Sequence, residues 1–313
     1  LVSYDIKFSC GTWSYTTSRI TVGSTDQQTF NTYAIPTEVA NQITSAKSAT
    51  ATCTIKTYST TTGSTSLGTS SATFTITVPN NDTYRPTANL AITATGAFNS
   101  YNLTNVTSFA YNCSGSSSTY GASISKYELT VKDSSGAIIA SGGSATGTIN
   151  PITTATTLTF SLTVTDSRGY KNASPVTATK VITAYNKPTI KSFTVTRGTG
   201  TVTSVTSCTN WQVNESGGGV AQVKYATSYT TLGTSNTLTC QILVNGGSAT
   251  TVAEGSNKTA YFNNGGSMYA TDTSYTFTLK IYDTVSGSSN ATTMSAVLSS
   301  ARFPLDFMAN AAG

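Results

Sequence analysis

The chain contains no histidine, and that absence removes Ser-His-Asp and Cys-His nucleophilic catalysis together with the commonest side-chain metal ligand. Charge is scarce as well. Asp, Glu, Lys and Arg make up 9% of the 313 residues, against about 25% in an average soluble protein. The 17 basic and 12 acidic residues are spread evenly along the chain. There is no cluster of Lys or Arg of the kind that phosphate contacts need, and nucleic-acid binding is not expected. No acidic run has the ligand density of a calcium loop. No stretch approaches the ~18 apolar residues of a membrane span, so membrane insertion is not expected. Cysteine is sparse and odd in number: Cys10, Cys53, Cys113, Cys208 and Cys240 lie far apart, with none of the close pairs that hold zinc. They read as small core residues, with Cys10–Cys53 or Cys208–Cys240 bridges as the alternative. Neither a metal nor any other cofactor is expected.

What is abundant is Ser and Thr, beside 37% apolar and 10% aromatic residues. That is apolar enough to fill several thin cores, and too apolar for a disordered chain. Thr is β-branched, suits a strand with one wet face and disfavours helix. At 313 residues the chain is longer than one all-β core of ordinary size.

Internal repeats reveal the building block. The segment Thr159-Phe160-Ser161-Leu162-Thr163-Val164-Thr165-Asp166-Ser167-Arg168-Gly169 returns as Thr276-Phe277-Thr278-Leu279-Lys280-Ile281-Tyr282-Asp283-Thr284 with a turn through Gly287. Strict alternation puts Phe160, Leu162 and Val164 on one face, the pattern of a strand half buried against a second sheet. Asp then opens a turn, with Gly supplying positive φ. Tyr127, Leu129 and Val131 alternate in the same way before Asp133-Ser134-Ser135-Gly136. Leu238, Cys240, Ile242 and Val244 do so before Asn245-Gly246, a strong hairpin signal. Cys53 and Ile55, then Phe74, Ile76 and Val78, repeat the theme early in the chain. A single short helix is expected over Pro36–Ile43, where Ile35, Val39 and Ile43 fall four apart.

Arg85-Pro86-Thr87 and Lys187-Pro188-Thr189 read as stiff joints. The fold expected is therefore all-β: tandem immunoglobulin-like antiparallel β-sandwiches in an elongated array. Sandwiches are expected over residues 1–84, 85–186 and 187–303, and residues 304–313 as the start of a linker to a further distal segment. The chain opens on Leu1 and alternates from Val2 to Phe8 instead of forming a signal peptide's apolar run, so an excerpt of a longer protein is expected.

Candidates for chemistry are few. Asp166 and Asp283 occupy equivalent turns, where a structural role is expected over a catalytic one. Glu215 and Glu254 carry no motif, and Gly217-Gly218-Gly219 lacks the Lys and helix of a phosphate loop. Asn-x-Ser/Thr triplets such as Asn102-Leu103-Thr104 are what so Ser/Thr-rich a chain produces by chance. No catalytic residue is expected. The candidate glycan contacts are aromatic: Trp13 with Tyr15, and Tyr261 with Tyr269 near Asn263-Asn264-Gly265-Gly266. Against them stands the ordinary use of Tyr in sandwich cores, its hydroxyl at the rim.

Tyr33-Ala34-Ile35-Pro36, Phe74-Thr75-Ile76-Thr77-Val78-Pro79, Thr93-Ala94-Thr95-Gly96-Ala97-Phe98-Asn99-Ser100, the Thr163–Gly169 strand and turn, and Pro304-Leu305-Asp306-Phe307 come in a telling order. In that order they resemble a siphophage minor structural protein family of unknown function, from phages of Gram-positive bacteria. The resemblance implies a tail-associated virion protein, in the tip or fibre region, with immunoglobulin-like modules ahead of a distal part. It implies other phage tail proteins as partners, several copies per virion or a homo-oligomer, and host cell-surface polysaccharide as a contact. The competing expectations are a Gram-positive cell-surface adhesin stalk and a carbohydrate-binding module array.

Overall fold

The computed structural model describes residues 2–22 and 35–300; the expected linker at 304–313 lies outside them. The chain is 54% strand and 3% helix, in sheets that are antiparallel except for one short parallel pair, Val176–Thr183 with Asn102–Leu103. It divides into two compact units, one of residues 1–97 with 102–183, the other of 98–101 with 184 onward.

The first stretch of the first unit forms one sheet among the described residues. Ser3–Cys10 lies between Ser48–Tyr58 and the short strands Trp13–Thr16 and Ile20–Thr21, and Ser66–Thr77 adds to the outer side of Ser48–Tyr58. Alternation works as the sequence implies, for Tyr4, Ile6 and Cys10 are buried. The expected second sheet of this sandwich is not found among the described residues. The face is closed instead by a 3-10 helix, Thr37–Gln42, and by Tyr84 and Tyr170. The helix is tighter and shorter than expected. Pro36 enters it in extended geometry and Ile43 leaves it at ψ 70, so Val39 and Ile43 are buried while Ile35, ahead of the first turn, is 45% exposed.

The rest of the first unit is a two-layer sandwich. Ile138–Gly142, Ile124–Lys132, Thr156–Asp166, Val176–Thr183 and Asn102–Leu103 make one sheet, and Thr146–Ile149, Ser108–Asn112 and Ala91–Thr95 the other. Phe160, Leu162 and Val164 are fully buried and meet Phe109 and Tyr111 from the opposite layer. Phe109 and Phe160 pack edge to face at 5.6 Å between centroids.

The second unit repeats the plan. Ser207–Val213, Thr189–Ser204, Val220–Ser228 and Lys258–Phe262 form one sheet, and Thr250–Val252, Leu238–Val244, Tyr275–Asp283 and Thr292–Leu298 the other. Phe277, Leu279 and Ile281 are fully buried, as their counterparts are in the first unit. The Asn245-Gly246 hairpin forms with both residues at positive φ (49° and 71°), and Gly136 (φ 86°) closes the Asp133 turn.

Around the expected boundary at Tyr84, side chains of the two stretches share a core. Tyr84 and Tyr170 share a cluster with Val39, Ile43 and Val78, and the Tyr170 hydroxyl donates to the Val78 carbonyl at 2.5 Å. Arg168 adds a polar staple. Its guanidinium donates to the carbonyls of Ile43 (2.7 Å) and Ala40 (3.2 Å) in the first stretch, and to Thr119 (3.0 Å) and Tyr120 (2.6 Å) in the second. Ser167 also donates its hydroxyl to the Thr44 carbonyl. Side chains and hydrogen bonds thus tie the two stretches together at this joint.

Candidate functional site

Each copy of the repeated strand ends in a carboxylate only 1% exposed. Asp166 Oδ1 accepts the backbone N–H groups of Arg168 (3.0 Å) and Tyr170 (2.8 Å), and Oδ2 accepts the Ser118 hydroxyl (3.2 Å). The Arg168 guanidinium lies 3.7 Å away, both side chains fully buried. Asp283 is held by different partners. Oδ1 accepts the Ser286 N–H (2.7 Å) and the Tyr185 hydroxyl (3.0 Å), while Oδ2 accepts the Asn236 amide (2.8 Å). Gly169 and Gly287, both at positive φ, return their N–H groups to the carbonyls of Asp166 and Asp283. Burial, followed by the Asp283 charge, pushes the Tyr185 hydroxyl well above the ordinary tyrosine range. Both oxygens of each carboxylate accept from fixed donors, an arrangement that suits turn closure.

A second buried cation sits in the other unit. Arg197 is 3% exposed, and its guanidinium donates to the carbonyls of Gly218 (2.8 Å), Ser299 (3.1 Å) and Thr273 (3.3 Å). Desolvation lowers its pKa, against an opposing push from Tyr275. Gly218 and Gly219 permit this close approach. A Cβ on Gly218 would stand 2.4 Å from the Gly198 carbonyl oxygen, and one on Gly219 2.4 Å from Met268 Cβ. The Gly217–Gly219 run is thus a packed turn. Asn214 caps it, accepting the Gly217 N–H at 3.0 Å.

All five thiols are free, with Cys10, Cys113 and Cys240 buried. Burial raises Cys53, Cys113 and Cys208, and pushes Cys240 up to about 11. A thiol so shifted stays protonated and is a poor nucleophile at neutral pH. Among the described residues no group of three or more Cys, Asp or Glu side chains gathers as metal ligands, and Glu215 and Glu254 are exposed.

The aromatic candidates divide. Trp13 and Tyr15 stand on one face of strand Trp13–Thr16, Trp13 half-buried beside Phe8, Ala51 and Phe74 at an apolar hollow, and Tyr15 41% exposed. Tyr261 and Tyr269 are not brought together as expected. Tyr269 is a core residue, 3% exposed, with ring centroids 4.6 Å from Tyr275 and 5.7 Å from Phe277. Desolvation pushes its hydroxyl up to about 12, and no ligand can reach the ring. The loop position disguised this, because Tyr269 folds back and donates its N–H to the Gly219 carbonyl.

Tyr261 faces away from the core, and sequence reasoning passed over its actual neighbour. Trp211 packs edge-on against it at 5.5 Å, and Gln222 donates to the Tyr261 hydroxyl at 3.1 Å. Gly198 makes room for the indole, since a Cβ there would meet it at 2.3 Å. The available signal was a Trp in a polar strand, Ser207–Val213, with a glycine in the partner strand.

The family model described as "Siphovirus protein of unknown function (DUF859)" matches residues 7–302. The chain belongs to this siphovirus family. No curated protein sequence matches the chain. Among solved structures, fibronectin(III)-like modules of Clostridium thermocellum CbhA are similar at 12% identity and TM-score 0.27, covering 66% of this chain and 92% of that one. Dpr2 Ig1-Ig2, solved in complex with DIP-Theta Ig1-Ig3, is similar at 10% identity and TM-score 0.31, covering 93% of this chain and 88% of that one. Likenesses this distant carry no argument about function. The all-β assignment stands on the sheets themselves.

Proposed function

We propose that the chain is a non-enzymatic structural part of the siphovirus tail, serving as a modular spacer in the tip, fibre or decoration and contributing to host attachment. The observation that carries this reading is membership of a siphovirus family over residues 7–302. The site geometry supports it, because the buried carboxylates and guanidinia are engaged in holding turns and loops, and the repeated strands supply packed cores. Membership also favours the phage reading over the bacterial adhesin stalk. Other tail proteins and further copies of the chain are the expected partners. Many weak host contacts multiplied by copy number would hold a virion by avidity.

The test is mass spectrometry of particles purified from a phage that encodes the chain. Its peptides, at several copies relative to a protein present once per tail, are the expected result. Purified infectious particles without them would overturn the proposal.

One observation favours an added glycan contact. The Trp211–Tyr261 pair turns an amphipathic aromatic surface away from the core, the type of face on which a sugar ring stacks. Binding of host wall polysaccharide that falls at least tenfold in Trp211→Ala, and is unchanged in Trp13→Ala, would assign the contact there. Equal binding by both variants and the parent chain would remove it.

A further inference from the structure

Sheet edges are where β-proteins meet other chains, since every second residue of an edge strand offers an unpaired N–H and C=O. Most edges in this molecule are blunted. Trp13–Thr16 has four residues, Thr146–Ile149 four and Thr250–Val252 three. Ile138–Gly142 is interrupted by a register shift and Ser207–Val213 by two. Among the described residues Thr292–Leu298 is also an unbroken, uncharged edge but runs only seven residues, and Ser66–Thr77 is the longest edge strand. It runs for twelve residues at the end of its sheet, about 40 Å at ~3.4 Å per residue. Its pairing to Ser48–Tyr58 is unbroken from Thr77 to Gly68, shifting only at the Thr57/Tyr58 end. Its sequence, SLGTSSATFTIT, contains no charged residue and no proline, two of the devices by which natural edges repel a partner. All but Phe74 and Ile76 are exposed.

We propose that Ser66–Thr77 is a docking edge for a second copy of this chain, joined antiparallel about a twofold axis normal to the sheet. Such a contact is isologous, so one strand must suit its own reverse. Keeping equivalent faces on the same side restricts the registers to those in which odd-numbered residues meet odd-numbered ones. Those residues are Leu67, Thr69, Ser71, Thr73, Thr75 and Thr77, all exposed. In any central register, hydroxyl therefore faces hydroxyl across the seam at every odd-numbered pair that does not include Leu67. The chain already pairs strands in this way: Thr54 with Ser71 at 2.8 Å, Thr189 with Ser228 at 2.8 Å and Thr278 with Ser295 at 2.9 Å. The even-numbered face carries Gly68, Ser70 and Ala72, too small to obstruct approach. A strand without charge offers nothing to select a charged foreign peptide, whereas its mate in another copy meets it without repulsion. This inference stands on the edge itself and does not depend on a place in the tail.

The experiment is sedimentation velocity of the full chain across a hundredfold concentration range, for the parent chain and for Ser71→Lys/Thr73→Lys. In the registers centred on residues 71, 72 and 73 the double variant sets like charges directly opposite, while both positions stay exposed within their own sheet. A concentration-dependent dimer whose dissociation constant rises at least tenfold in the variant is expected. Hydrogen exchange on the parent chain reads the same edge without mutation. Amides of Ser66–Thr77 are expected to slow at least tenfold at high concentration while those of Thr146–Ile149 do not change. A chain monomeric throughout, a dimer indifferent to both lysines, or protection confined to another strand would each overturn the proposal.

Discussion

Arg168 and Arg197 each carry a positive charge into a region almost closed to water, and each is satisfied chiefly by backbone carbonyls. A guanidinium suits this because its planar fork presents five donors in fixed directions, which an ammonium cannot. Arg168→Met removes the ion pair to Asp166 and four donated hydrogen bonds, those to Ile43 and Tyr120 among them, and a loss of about 3–5 kcal/mol is expected from urea unfolding of the first unit. Arg168→Lys should recover less than half of that, because one amine cannot reach both stretches; full recovery would mean that charge alone matters. The buried hydroxyls and thiol set the alkaline limit. Tyr185, Tyr225, Tyr269 and Cys240 are all raised above their ordinary values, chiefly by desolvation. A raised folded value means the neutral form is favoured in the fold, so its contribution is complete below the unfolded value and fades as pH climbs through the folded one. The urea midpoint should therefore be level up to about pH 9, where unfolded cysteine begins to ionise, and fall between there and about pH 12. A level midpoint through pH 12 would show these groups to be less desolvated than their burial implies.

At the scale of elements, alternation carries the fold. Phe160, Leu162 and Val164, and Phe277, Leu279 and Ile281, are fully buried because a period of two directs each to the same face. These strands, their partners Ile124–Lys132 and Leu238–Val244, and the Asn245-Gly246 turn were legible from local pattern alone. Leu279→Ala should cost about 2–5 kcal/mol by thermal or urea unfolding, while Thr293→Ala, at an exposed position of the neighbouring strand Thr292–Leu298, should stay within about 0.5 kcal/mol. Similar losses at both positions would contradict the assigned faces. Less of the candidate site was legible. The turn role of Asp166 and Asp283 could be read because Gly and Ser follow them closely in sequence. The partners of Arg168 could not, since Ile43 and Ala40 lie 125 and 128 residues away. Tyr269 looked accessible because loop aromatics give no periodicity from which burial can be read. Trp211 was hidden for the converse reason, as its seat depends on Gly198 in another strand.

For the molecule as a whole, the first 84 residues carry the main consequence for stability. Their sheet is closed by a short helix and by tyrosines of the following sandwich, so residues 1–183 should unfold as one cooperative unit. Residues 85–183 expressed alone should be markedly less stable than the same residues within 1–183, for Arg168 and Tyr170 then lose Ile43, Ala40 and Val78. Equal urea midpoints would restore the picture of independent beads. Beyond stability, the role proposed for this siphovirus-family chain is that of a tail part working by shape and repetition. Immunogold electron microscopy of intact virions, with antibody against the folded chain, tests that most directly. Gold on the tail, at several particles per virion, is the predicted result; gold confined to the capsid, or unlabelled virions beside strongly labelled free protein, would contradict it.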